Sequence, residues 1–388
     1  MSPRVGRVVH IALEQRRPKF LNTTLRRYDL LLVGAIVALA FCGDLALFSA
    51  TRVTDIRAGI SPYYYLEHQV LYDVLGIIGM LGVIWVGYER LLRFGYLLYW
   101  IMMLALVGVM VVGHSSLGSQ RWFSVGPFQL QPSAFAGLTL VITLATAAGR
   151  RDGRLALRNV LGLVVMAVVP ILLVIKQPDL GSALIMLMAS AAALVAAGVK
   201  GRHLAGLAVA GVLAVMVALS LHLLHAYQLA RLTTFLSQNN PATFRTTTYN
   251  IQQSKFAISS GGFLGKGIFS GTQVNGGYVP AFSTDFIFSA LGAQFGFLGG
   301  LAVILLFALI EWRVWKVAAT ARSLGARVCA TGVLAIIGFS VFENVGMAMG
   351  IMPVAGIPLP LISFGGSAVL DTFAAVGLVL SIGAERSA

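Results

Sequence analysis

The chain reads as an all-α polytopic membrane protein with about ten transmembrane helices and one long extracytoplasmic loop, on three observations. Of its 388 residues, 58% are hydrophobic and 11% charged, whereas a soluble domain carries about 25% charged residues. Apolar runs close to the ~20 residues that cross a ~30 Å hydrocarbon core recur from end to end. Lysine and arginine gather in alternate connections, the bias that orients membrane helices.

Taken in order, the runs predict spans at about 29–50, 69–87, 94–113, 132–149, 159–176, 179–199, 203–224, 285–311, 328–350 and 365–384. Pro178 makes the fifth and sixth nearly continuous, so nine spans also fit. Residues 1–27 form a basic tail. The rest, 28–386, reads as one membrane domain in which 225–284 is a polar, glycine-rich loop. Arg4, Arg7, Arg16, Arg17, Lys19, Arg26 and Arg27 lie in the tail. Arg90 and Arg93, then Arg150, Arg151, Arg154 and Arg158, then Lys200 and Arg202, then Arg313, Lys316, Arg322 and Arg327 lie in alternate connections, with Arg386 at the end. Both termini are therefore expected in the cytoplasm, with 225–284 facing outward.

The formal charge of +14 follows from this bias and from attraction to anionic lipid headgroups. No aromatic-basic interleaving or known module points to nucleic acid. The tail lacks the apolar stretch and small-residue cleavage site of a signal peptide. Cys42 and Cys329 fall inside apolar runs and read as small core residues. His222 and His225 stand three apart without a third ligand, too few for zinc. No Gly-x-Ser-x-Gly or His-Glu-x-x-His motif is present.

A loop as long as 225–284 is usually functional. Its apolar residues Phe235, Phe244, Tyr249, Ile251, Phe256, Ile258 and Phe263, together with Arg231, make it a poor candidate for disorder. Residues Tyr249 to Ile258 have the spacing of an amphipathic interfacial helix, with Ile251, Lys255 and Ile258 on one face; Gln252 and Lys255 are its candidate binding residues. Gly261, Gly262, Gly265, Gly267, Gly271, Gly276 and Gly277 follow, with Lys266 among them. They allow close backbone approach and positive φ, and suit either a cradle for an anion or a flexible re-entrant turn.

Asp285 closes the loop at the lip of the next span, in Val279-Pro280-Ala281-Phe282-Ser283-Thr284-Asp285-Phe286-Ile287-Phe288. A lone carboxylate at membrane depth costs roughly 2–3 kcal/mol unless it faces protein or water, so Asp285 is the leading catalytic candidate, as a general base. Other polar groups fall at the same end: Gly118-Ser119-Gln120-Arg121-Trp122-Phe123, Gln131-Pro132-Ser133, Gln177-Pro178-Asp179-Leu180-Gly181-Ser182, and Pro358-Leu359-Pro360-Leu361-Ile362-Ser363-Phe364-Gly365-Gly366-Ser367. Arg121, Trp122, Gln131, Ser133, Gln177, Asp179, Thr284 and Ser363, with Gln252, Lys255 and Lys266, form the candidate substrate-binding set. Arg121 and Lys255 or Lys266 would supply charge for phosphate oxygens. Plainer readings stand beside these. Trp122 suits an interfacial aromatic belt, and Asp179 suits a helix N-cap. The acids Asp44, Glu343 and Asp371 mark either an ion path or pairs within the bundle.

Together these motifs resemble the SEDS family (shape, elongation, division and sporulation) of bacterial peptidoglycan polymerases. The resemblance rests on Gly118-Ser119-Gln120-Arg121-Trp122, Gln131-Pro132-Ser133, Gln177-Pro178-Asp179-Leu180-Gly181-Ser182-Ala183-Leu184, Gly261-Gly262 to Gly265-Lys266-Gly267, Gly271-Thr272-Gln273, Thr284-Asp285-Phe286-Ile287-Phe288, and Asn344-Val345-Gly346-Met347 through Ser363-Phe364-Gly365-Gly366-Ser367, in order from about 30 to 384. Val354, Ile357-Pro358-Leu359-Pro360 and Gly271-Thr272-Gln273 look more like the RodA-like elongation branch than the division branch. The resemblance implies a ten-helix fold and polymerisation of lipid II, the lipid-linked disaccharide precursor, at the outer face of the bacterial cytoplasmic membrane. It implies a class B penicillin-binding protein, a transpeptidase, as partner, and Asp285 as the essential catalytic residue. The donor already carries a good leaving group, so one base for the acceptor hydroxyl suffices for an inverting displacement. Cations must meet the charge developing on the diphosphate; lysine, arginine or a divalent metal fits that need, and no other cofactor is evident.

The chain departs from the family pattern in places. Gln-Pro-Ser-Glu-Phe-Ala-Lys is usual where Gln131-Pro132-Ser133-Ala134-Phe135-Ala136-Gly137 stands here. Ala281 replaces a usual glutamate, and Ala293-Gln294 a common acidic pair. Two other functions therefore stay open: a flippase for a lipid-linked sugar using Asp44, Glu343 or Asp371, and a scaffold for a transpeptidase without chemistry of its own.

Overall fold

A computed structural model of the protein describes residues 28–385 except 117–118, 126–127, 151–155, 222–225, 239, 241–242 and 244–247. The basic tail, Gly118, Phe244, His222 and His225 lie outside the described residues. The elements run α1 (Leu30–Arg57), α2 (Tyr64–Val86), a short α3 (Tyr88–Arg93), α4 (Gly95–Val112), β1 (His114–Ser116), β2 (Ser119–Val125), β3 (Phe128–Leu130), α5 (Pro132–Gly149), α6 (Leu157–Lys176), α7 (Leu180–Ala196), α8 (Gly201–Ser220), α9 (Ala226–Leu236), α10 (Tyr249–Gly261), α11 (Thr272–Asn275), α12 (Ile287–Ala319), α13 (Leu324–Met349) and α14 (Gly366–Glu385).

Among the described residues each of the ten expected spans coincides with a helix. Among the described residues α1, α2, α4, α5, α6, α12, α13 and α14 are long and apolar enough to cross a membrane, and α7 and most of α8 are shorter apolar helices. Helices α5, α13 and α14 form the centre. Helix α14 packs along α2, while α13 packs between α12, α5 and α7. Helix α8 is mostly exposed, with His203, Leu204 and Leu207 half-buried near its start. Small residues set the closest crossings: a Cβ on Gly377 would lie 2.8 Å from the Met80 carbonyl, so only glycine lets α14 and α2 meet there.

Three features differ from expectation. Helix α1 runs to Arg57 because its last turns are held by the 269–275 segment. Ser49 Oγ accepts the Phe269 N–H at 2.9 Å, the Arg52 guanidinium stacks on the Phe269 ring at 4.7 Å, and Arg57 donates to the Asn275 carbonyl. The strands β1, β2 and β3 form a three-stranded antiparallel sheet in that order, with His114 opposite Trp122 and Phe123 opposite Leu130; they are too short and polar to stand out in the sequence. The 225–284 segment is built from α9, α10 and α11, with α10 on the stretch expected to be the interfacial helix.

The third feature shapes the site. Helix α12 is broken at Gly296 (φ 66°, ψ −162°). Residues 262–267 lie across the break like a strand: Lys266 N donates to Ala293 O at 3.1 Å and Gly267 N to Gln294 O at 3.0 Å, while Phe297 N donates to Gly262 O at 2.9 Å and Leu298 N to Phe263 O at 3.2 Å. The glycine run thus serves close backbone approach. The amides of Lys266 and Gly267 are spent on α12 carbonyls, not kept for an anion. Gln294, in place of an acid, donates through Nε2 to the Ser49 carbonyl at 3.0 Å, a bond an ionised carboxylate could not make.

Candidate active site

Asp285 sits in a tight turn that feeds α12. Ala281 takes positive φ (50°), and its carbonyl accepts Thr284 N at 3.1 Å and Phe286 N at 3.0 Å. The turn is stitched to the proline-rich 352–364 segment and to α13. Asn344 Nδ2 donates both to the Asp285 carbonyl at 2.8 Å and to the Ile357 carbonyl at 2.7 Å. Ser363 Oγ donates to the Thr284 carbonyl at 2.6 Å and accepts Leu359 N at 2.8 Å, and Phe364 N reaches the Ser283 carbonyl at 2.8 Å. A second non-glycine residue at positive φ, Leu361 (61°), lies in the facing loop. Such conformations cost about 1–3 kcal/mol and cluster at functional sites. The backbone of the turn is thereby fixed, and the Asp285 side chain, half-buried, remains for chemistry.

The cation beside it is Arg231 of α9. Its Nη1 donates to the Ala355 carbonyl at 2.8 Å. Gly356, at φ 75°, lies between the two side chains: a Cβ there would stand 3.4 Å from Asp285 Oδ2 and 4.0 Å from Arg231 Nη2. Desolvation pushes the Asp285 carboxyl above the ordinary carboxylate range. Arg231, the Thr284 hydroxyl and Arg121 pull it back down, and Asp179 adds a smaller push upward. An aspartate held this way is a stronger base than one in water. Glu343 of α13 joins the same neighbourhood, within electrostatic reach of Asp285 and Arg231; its Oε1 accepts Ala355 N at 3.1 Å.

A second cluster surrounds Asp179, the N-cap of α7. Its Oδ2 accepts Ser133 Oγ at 2.7 Å, Gln131 Nε2 at 2.9 Å and Ser182 Oγ at 2.9 Å. Its Oδ1 accepts Ser182 N at 3.3 Å and lies 3.9 Å from Arg121 Nη1. Arg121 also donates to the Gln177 carbonyl at 2.9 Å and to the Pro178 carbonyl. Gln177, buried, donates to the Leu106 carbonyl at 2.8 Å. Arg121, Gln131, Ser133, Gln177 and Asp179 are thus brought together as a cap and strut, joined to Asp285 through the long-range charges of Arg121 and Asp179. Trp122 is half-buried on β2.

The expected lysines lie elsewhere. Lys255 donates to Gln238 Oε1 at 2.8 Å, and Gln238 in turn holds the Gly350 carbonyl at 2.9 Å; Gln252 donates to the Gln238 backbone. These residues fasten α10 to the C-terminus of α13. Lys266 is exposed and donates to Thr272 Oγ1 at 3.0 Å. Neither lysine is among the charges acting on Asp285, so as partners of the catalytic candidate they give way to Arg231. From the sequence Arg231 is read only among the anchors of the loop; its signal is a lone cation in a helix-forming stretch at the start of the loop that Asp285 closes. The supposed ion-path acids do not form one route. The Asp44 carboxyl contacts that of Asp73 on α2, Glu343 belongs to the Asp285 site, and Asp371 is buried on α14. Among the described residues no group of three or more His, Cys, Asp or Glu side chains is arranged to hold a metal ion.

A helical bundle that aims one desolvated carboxylate at two arginines, at the mouth of a broken span, defines a polytopic membrane enzyme. The chain belongs to the SEDS family: residues 29–388 match the profile described as FTSW_RODA_SPOVE, cell cycle protein. It is 38% identical to the peptidoglycan glycosyltransferase MrdB of Escherichia coli K12, over 74% of this chain and 77% of that protein. It is 31% identical to a protein of Trichlorobacter lovleyi named "Probable peptidoglycan glycosyltransferase FtsW", over 93% and 94%. A solved chain from work on the structural coordination of polymerization and crosslinking by a peptidoglycan synthase complex superposes with a TM-score of 0.76 at 29% identity, covering 92% of this chain and 98% of that one. The protein is accordingly a glycosyltransferase.

Proposed function

We propose that the protein polymerises lipid II into glycan strands at the outer face of the bacterial cytoplasmic membrane during cell elongation, with Asp285 as the general base. The two relatives described above carry the names peptidoglycan glycosyltransferase MrdB and probable peptidoglycan glycosyltransferase FtsW. The elongation assignment rests on Val354, Ile357-Pro358-Leu359-Pro360 and Gly271-Thr272-Gln273. Both termini lie in the cytoplasm on this reading, which follows the lysine and arginine bias. A class B penicillin-binding protein is the proposed partner, as the relationship to a peptidoglycan synthase complex supports.

The observation that carries the mechanism is the juxtaposition of Asp285 with Arg231 across Gly356. The Asp285 carboxylate takes the proton of the acceptor sugar hydroxyl. The oxygen attacks the anomeric carbon of the donor, the bond to the diphosphate breaks, and the polyprenyl diphosphate leaves with inversion. The departing charge is met by Arg231 and, at longer range, by Arg121, already in place before reaction. A divalent metal on the diphosphate would serve the same charge.

The test is polymerisation of labelled lipid II by purified protein, alone and with a cognate transpeptidase, comparing wild type with Asp285→Ala. Strands from wild type and none from the variant support both enzyme and base. Strands from neither, with a folded protein that still binds its partner, would turn the assignment to a scaffold.

A further inference from the structure

The buried acid of α13 has a role that neither the family resemblance nor the chemistry above requires. Glu343 is 1% exposed, on a helix face turned to the 352–364 segment. Its Oε1 accepts the Ala355 amide at 3.1 Å, and its Oε2 has no hydrogen-bond partner. The carbonyl of that same residue, Ala355, accepts Arg231 Nη1 at 2.8 Å. Ala355 is therefore gripped at both polar atoms, by Glu343 from one side and Arg231 from the other. Directly after it comes Gly356, packed against Asp285 Oδ2 and Arg231 Nη2.

We infer that Glu343 is a positioning residue of the active site: by holding the Ala355 amide it fixes the carbonyl on which Arg231 rests, and so sets the arginine against Asp285. The inference rests on the glycosyltransferase reading above. A buried carboxylate with one oxygen unsatisfied is expensive, and a valine of similar bulk would suit the apolar surroundings of α13 better. Retaining an acid here makes physical sense only if its acceptor atom or its charge is used. The charged groups facing it are Arg231 from α9 and Asp285 from the turn before α12; Asp285 in turn feels Arg121 and Asp179. The bond to the Ala355 amide needs only an acceptor oxygen, which a neutral carboxyl offers as well as an ionised one.

The experiment compares wild type, Glu343→Gln and Glu343→Val in full-length protein with its transpeptidase partner, by lipid II polymerisation. Valine removes the acceptor, and the rate is expected to fall at least tenfold. Glutamine keeps an acceptor oxygen, and is expected to recover most of that loss. Combining Glu343→Val with Arg231→Ala should add little to the loss from Arg231→Ala alone. A valine variant that polymerises at the wild-type rate overturns the inference. So does an equal loss in both variants, since glutamine keeps the acceptor that valine removes; thermal unfolding of each variant identifies a valine protein that has failed to fold, and Glu343→Met, of similar length and without a carboxyl oxygen, then takes its place. A wild type that makes no strands defeats the glycosyltransferase reading instead, and is distinguishable because it precedes any comparison of variants.

Discussion

Asp179 and Asp285 occupy similar places, each just ahead of an apolar helix and each within the electrostatic reach of Arg121, yet their oxygens are spent differently. Asp179 accepts from Gln131, Ser133 and Ser182 side chains and from the Ser182 amide. Its charge is consumed in beginning α7 and joining it to α5. At Asp285 the stitching is done by the backbone, through its carbonyl to Asn344 and through the Thr284 and Ser283 carbonyls to Ser363 and Phe364, while the carboxylate faces Arg231. Two aspartates in one neighbourhood differ in role because one carboxylate is saturated by fixed donors, while the other is positioned chiefly through the backbone of its turn.

The sharpest way to break this contrast is to remove each carboxylate. Asp285→Asn is expected to lower polymerisation by about 10²–10⁴-fold, the range of a lost general base, with little change in thermal stability. The wild-type acid limb should also lie above the pH of an ordinary carboxylate: the raised affinity for a proton means the base is lost as pH falls through that higher value. A limb at the position of a free aspartate would contradict the desolvated site. Arg231→Ala should follow, with a loss of about 10²-fold if it meets the departing charge, against Arg231→Lys, which keeps charge but not the guanidinium fork. Asp179→Ala should show the opposite signature: about 2 kcal/mol of stability lost in thermal or denaturant unfolding, from the missing cap and the orphaned donors, with a smaller fall in rate than at Asp285. Equal kinetic losses at both aspartates would erase the distinction. Smallest of all, Lys266→Ala should leave both rate and stability close to wild type, since its amine reaches only Thr272 at the surface.

How much of this was legible depended on the range of the forces involved. The ten helices could be read because apolar length alone decides them, and Asp285 because a charge at the edge of a span is conspicuous. The α10 helix followed from the spacing of Ile251 and Ile258. The anion reading of the glycine run failed because glycine reports close approach without naming what approaches; here it is the broken backbone of α12. Lys255 sits on the helix face expected of it, but spacing gives a face and not a partner, and that partner is Gln238, distant from Asp285 in effect. Arg231 was the main omission. It lies more than fifty positions before Asp285, in a stretch of leucine and threonine where a single arginine looks like surface, and only the fold brings it to the carboxylate through Ala355 and Gly356. The β1-β2-β3 sheet was hidden for a simpler reason, since strands of three residues leave no periodicity to count.

The break in α12 also bears on how the protein is built during biogenesis. Four backbone bonds spanning the gap at Gly296 come from residues 262–267, and in hydrocarbon a helix with unpaired amides and carbonyls is costly to leave open. The upper piece of α12 therefore reaches its final form only after the segment emerging before it has docked. Asp285 lies in the turn that feeds that piece, so the placing of the reactive carboxylate depends on the same docking, and a nascent chain stalled before it lacks a working centre.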